Sequence, residues 1–118
     1  MTGVQTCALP IFLYGSTAYD FDITVPNIGA NGEVFEVFAG FSHYGNSNYG
    51  AVLKTVVWVR SAGPAVISQT DILNVTSANG GAWSVSQPAA GTLRVSKSAG
   101  AYSGGGWGYI LVRFNSTQ

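Results

Sequence analysis

Apolar and polar positions alternate along most of this chain. In "AYDFDITV" the residues Tyr19, Phe21, Ile23 and Val25 share one face while Asp20, Asp22 and Thr24 share the other, which is the period of two of a half-buried strand. Pro26 and Asn31-Gly32 follow with turn chemistry, because Gly accepts a positive φ at little steric cost. "EVFEVFAGFSHYG" sets Phe35, Val37, Ala39, Phe41 and His43 on one face, and its other face, with Val34, Phe38 and Tyr44, is apolar enough to be covered in part. A polar loop, "GNSNYG", leads to "AVLKTVVWVR", whose β-branched content reads as an interior strand. "AVISQTDILN", "AWSVSQ", "TLRVSK" and "WGYILVRF" complete the series, with "PAAG" and the Gly-rich "SAGAYSGGG" as connections. Seven to eight strands spaced about 8–12 residues apart, with no helical periodicity, predict an all-β antiparallel β-sandwich or jelly roll.

The first eleven residues, "MTGVQTCALPI", break this pattern. No Lys or Arg precedes their apolar stretch and no small-residue cleavage pattern follows it, so a secretory signal does not fit. Read back into codons with a GTG start, Met1 to Ile11 resembles a widely used short-read sequencing adapter at every residue. Residues 1–11 are therefore read as a non-native segment, set aside as a fusion scar would be, and expected to add little native packing even though "ALPIFLY" is apolar enough to imitate a strand. On this reading the natural polypeptide begins near Phe12, cut from a longer frame of environmental DNA, and residues 12–118 form one β-sandwich domain truncated on its N-terminal side. The polar "NSTQ" reads as the natural carboxyl terminus.

Setting that segment aside removes Cys7, the only cysteine, and Met1, the only methionine. No disulfide or thiolate metal site is then expected, and nothing in the residues calls for a cofactor or a metal. Five acidic and five basic residues cancel and are spread along the chain, so the basic stripe of a nucleic-acid binder is missing. No apolar run approaches the roughly 20 residues of a membrane span, and membrane insertion is not expected. Charged residues are only 8% of the chain, against about 25% in ordinary globular proteins. Such a surface fits an extracellular or virion setting, or a subunit that covers itself with copies of itself.

Few residues invite chemistry. His43 is the only histidine, and nothing in its spacing from Ser or Asp builds a triad. Asp20 and Asp22 sit about 7 Å apart on one strand face, within range of paired glycosidase carboxylates or a calcium pair; the simpler reading is a wet strand face. "GGGWG" at Gly104–Gly108 leads into a strand and lacks Lys, so it is no phosphate loop. Trp58 and Trp83 fall in strand patterns and read as core or subunit-interface residues. Tyr44, Asn46, Asn48, Tyr49, Tyr102 and Trp107 lie in or beside Gly/Asn-rich loops, where rings suit the C–H faces of sugars and amides suit their hydroxyls; the same rings could instead staple the loops to the sandwich. No acid, base or nucleophile stands out, so an enzyme is not expected.

Taken together, "FDITVPN", "GFSHYGNSNYGA" and "WSVSQPAAGTLRVSKSAGAYSGGGWGYILVRF" resemble the carboxyl-terminal domains of tailed-phage tail fibres and related virion proteins. The resemblance rests on an Asp-rich strand ending Val25-Pro26-Asn27, the His43-Tyr44 pair leading to Tyr49-Gly50, and the closing Gly-rich hairpin from Ser98 to Val112. It implies a non-enzymatic, commonly homotrimeric β-sandwich tip on a virion tail, which binds a host-surface glycan or protein or caps the fibre. The alternative is a secreted bacterial carbohydrate-binding module once attached to an upstream hydrolase.

Overall fold

The computed structural model describes the backbone of residues 2–24, 32–43, 46–59 and 68–117, and the side chains there except at 2–10, 33, 43, 46–49, 68 and 114–117. Its elements are β1 (Thr2–Tyr14), β2 (Tyr19–Thr24), β3 (Glu33–His43), β4 (Asn46–Val59), β5 (Ser68–Val75), β6 (Trp83–Ala89), β7 (Thr92–Lys97) and β8 (Gly105–Thr117). All pairings among them are antiparallel. One sheet runs β1-β8-β3-β4-β5, and the other, β2-β7-β6, covers part of its inner face. This is the expected all-β sandwich, and β4 is interior as its β-branched run predicts.

The alternation fixes what each strand buries. Phe35, Val37, Ala39 and Phe41 of β3, and Leu53, Val57 and Val59 of β4, are fully buried against Leu93 and Val95 of β7 and Trp83 and Val85 of β6. Each of these side chains larger than that of Ala39 contributes about 1.5–3 kcal/mol when withdrawn from water. The indole of Trp83 donates to the Ala51 carbonyl at 3.2 Å and so ties the two sheets together; this tryptophan is core. Trp58 is not, since its side chain stands on the outer face of the larger sheet.

Three details depart from expectation. The polar "GNSNYG" is mostly strand: β4 starts at Asn46, which pairs with His43, so the reversal is tighter than its Asn/Gly content implies. "PAAG" is likewise half strand, because β6 continues to Ala89 past a bulge and only Ala90-Gly91 turn, with Gly91 at φ 68°. The backbone of the segment set aside forms most of β1, paired with β8 from Thr2↔Thr117 to Tyr14↔Gly105. A bare edge of β8 offers a row of N–H and C=O groups that any extended chain can satisfy whatever its side chains. Ile11 also packs against the core.

At one end of the sandwich three crossovers converge. Gly100 N–H donates to Gly15 O at 2.7 Å, Ala101 N–H to Ala78 O at 2.7 Å, Tyr102 N–H to Asn79 O at 2.9 Å and Gly15 N–H to Gly104 O at 3.0 Å. The chain closes so tightly here that Gly81, at φ 84°, has no room for a Cβ beside the Ser98 carbonyl. Lys97 is 1% exposed, and its ammonium fills the centre of this knot. It donates to Gly15 O at 2.8 Å and Ser98 O at 3.1 Å and reaches Tyr14 O and Thr17 O at 3.4 Å.

Candidate functional site

The register of β8 brings aromatic residues together at that same end. On its outward face come Gly105, Trp107, Tyr109 and Leu111, and on β1 the outward Phe12 and Tyr14 lie opposite Trp107 and Gly105. Trp107 is 51% exposed, Tyr109 52%, Tyr14 50% and Phe12 47%. The Phe12 ring meets Trp107 edge-on, with centroids 5.5 Å apart at 82°, and meets Tyr14 at 5.3 Å and 88°. Phe12 also lies across Gly105, whose missing side chain leaves the space that ring fills. Edge-to-face contacts of this kind hold rings in fixed orientation and add about 0.5–1.5 kcal/mol per pair beyond the area they bury. The product is a rigid aromatic corner in contact with water.

Of the residues singled out in the sequence, Trp107 is part of this corner. Ser42 of β3 sits opposite Trp107 across the ladder, and His43 pairs with Asn46, so the β3–β4 hairpin reverses at the same end of the sheet. Tyr44 lies outside the described residues, and the side chains of His43, Asn46, Asn48 and Tyr49 lie outside them too. Tyr102 is half-buried, and its ring packs over Gly104 while its backbone is bonded to Asn79, which is the position of a staple. Phe12, Tyr14 and Tyr109 were not singled out. Their period-two spacing was legible in sequence, but only the β1–β8 register puts Phe12 beside Trp107.

Asp20 and Asp22 stand on the outer face of the smaller sheet. The Asp22 carboxylate accepts from the Arg94 guanidinium at 2.7 and 3.0 Å, a bidentate pair whose hydrogen bonds hold the carboxyl below its usual value. Asp20 accepts from the Ser96 hydroxyl at 2.6 Å. Both carboxylates thus have cross-strand partners in water, the arrangement of a wet strand face. Asp71, on exposed β5, is likewise held low, first by the Gln69 amide at 2.6 Å, then by Thr55 and Asn74.

An exposed, rigid aromatic corner can pack against the C–H face of a sugar ring or the apolar side chains of a partner, with hydroxyls such as that of Ser42 at its margin. Comparison with protein-family models, curated proteins and solved structures finds no match for this chain.

Proposed function

We propose that this chain is a non-enzymatic virion domain, the tip of a tail fibre, which attaches to host-surface glycan through the corner formed by Phe12, Tyr14, Trp107 and Tyr109. The observation that carries the reading is the half-exposed Trp107 ring braced by Phe12 at 5.5 Å. A ring held upright in water before any ligand arrives gives up little conformational freedom on binding. The resemblance of the Asp20–Asn27, His43–Gly50 and Ser98–Val112 segments to tail-fibre tips supplies the virion setting.

The test compares the parent protein with Trp107→Ala on a glycan panel and in adhesion to host cells. Loss of an anchoring ring costs about 1–3 kcal/mol, roughly 5- to 150-fold in affinity, while the melting temperature falls by only about 2–6 °C, the share of the Phe12 contact, because Trp107 lies outside the core. Unchanged binding by Trp107→Ala overturns the site.

A further inference from the structure

The cations among the described residues divide into two kinds. Arg94 is held by Asp22 through bonds at 2.7 and 3.0 Å, and Lys97 is buried among carbonyls. Lys54 and Arg113 are exposed, and both stand on the outer face of the larger sheet. They frame a shallow depression floored by Phe38 and Leu111, with Glu36 beside it. In the ladder, Leu111, Phe38 and Lys54 form one row across β8, β3 and β4, and Arg113 and Glu36 begin the next. Lys54 and Arg113 thus lie at opposite corners, their Cα atoms about 12 Å apart for strands about 4.8 Å and rows about 6.6 Å apart. Arg113 Nε is 3.8 Å from Glu36, beyond hydrogen-bond length, so the pair attracts without a bond. The depression also joins the aromatic corner. Trp107, Tyr109, Leu111 and Arg113 follow one another outward along β8, a line of about 20 Å. Gly40 faces Tyr109 across the ladder, and the Phe38 ring comes within 3.6 Å of where a Gly40 side chain would begin, carrying an apolar track from corner to depression.

We infer that this depression is a second glycan subsite and takes a sugar carboxylate, as on a uronic acid, in a chain laid along β8 from the aromatic corner. The inference rests on the glycan reading above and adds the chemical class of the glycan. The C–H face of the sugar packs on Phe38 and Leu111. Its carboxylate lies between Lys54 and Arg113, whose planar guanidinium matches a carboxylate in two parallel bonds. Glu36 accepts from a neighbouring sugar hydroxyl. The three charges select this ligand because they sum to a single positive charge. A neutral sugar leaves that charge unanswered, a dianionic phosphate overshoots it beside Glu36, and a bare inorganic anion has no C–H face for the apolar floor. The subsite is complete within one chain, whatever number of copies a fibre tip holds.

The experiment is calorimetric titration of the full chain with oligogalacturonate and oligomannuronate, each beside its carboxyl-reduced form. It is run on the parent protein, Lys54→Gln, Arg113→Gln, Glu36→Gln and Trp107→Ala, with the melting temperature of each. The parent protein is expected to prefer a uronate over its reduced form by about tenfold or more, and the preference falls as salt screens the exposed charges. Lys54→Gln and Arg113→Gln each lose most of that preference while keeping their melts and their affinity for the reduced form. Glu36→Gln moves the other way and binds the uronate more tightly, since it removes a like charge and keeps an accepting oxygen. Trp107→Ala weakens both forms alike. A parent protein that binds neither uronate, or binds each form equally, overturns the subsite, and so does a preference that survives both Lys54→Gln and Arg113→Gln. The corner is judged separately: uronate affinity undiminished in Trp107→Ala but lost in Lys54→Gln refutes the corner and upholds the subsite.

Discussion

Replacing Lys97 by Met keeps the unbranched stem that passes the Phe41 ring and removes only the ammonium, which lies 5.0 Å from that ring's centroid. Four carbonyls lose a donor, but not equally. Gly15 O keeps the Gly100 N–H at 2.7 Å and Tyr14 O keeps the Thr17 N–H at 3.3 Å, so the loss falls on Ser98 O and Thr17 O. Hydrogen bonds from a charged donor are worth about 1.5–3 kcal/mol each. Against this, Met has no charge to dehydrate, and both affected carbonyls belong to exposed residues that water can partly serve. The net expectation is a loss of about 2 kcal/mol, or about 8 °C in melting temperature for a domain of this size, read as a lower urea midpoint at unchanged slope. The pH dependence gives an independent check. Burial pushes the Lys97 ammonium below its ordinary 10.5, while the unfolded chain keeps that value. Between the two values the unfolded state binds more protons, so the parent protein's stability rises with pH and levels above 10.5. The Met variant lacks this rise, so the gap between the two widens as the pH rises toward 10.5. A Lys97→Met protein as stable as its parent refutes the account of the carbonyl cage, and a gap that narrows with pH refutes the claim that burial outweighs the cage.

Two further predictions concern the backbone. Gly81→Ala forces a Cβ onto the Ser98 carbonyl at positive φ and is expected to cost about 2–4 kcal/mol by thermal melting, whereas Gly91→Asn, at φ 68° with open space around it, stays within about 0.5 kcal/mol because Asn tolerates the left-handed region. Deleting residues 1–11 uncovers the β8 edge along Gly108–Thr117; circular dichroism should show a retained β spectrum with a lower melting temperature, and an unchanged melt would mean that the β1 pairing there contributes nothing.

Period-two patterning in single strands was enough to determine much of this protein. Phe35, Val37, Ala39 and Phe41 were legible as one face of β3, because side-chain direction in a strand depends on nothing but parity, while the apolar character of the opposite face left the choice of buried side to the second sheet. The Asp20/Asp22 face was legible as wet for the same reason. Trp58 and Trp83 were not separable in sequence, since both sit in strand patterns and only the position of the second sheet decides which tryptophan it covers. Tyr102 and Trp107 looked equivalent beside one Gly-rich stretch. Backbone bonds from the β5–β6 crossover hold Tyr102 down, while the start of β8 turns Trp107 outward. The burial of Lys97 had no local signal, because the four carbonyls that receive its ammonium come from three sequence positions well upstream and one next door. Pairing register and loop convergence are long-range choices among strands of similar pattern, and for that reason the aromatic corner and the lysine knot belong to the tertiary structure alone.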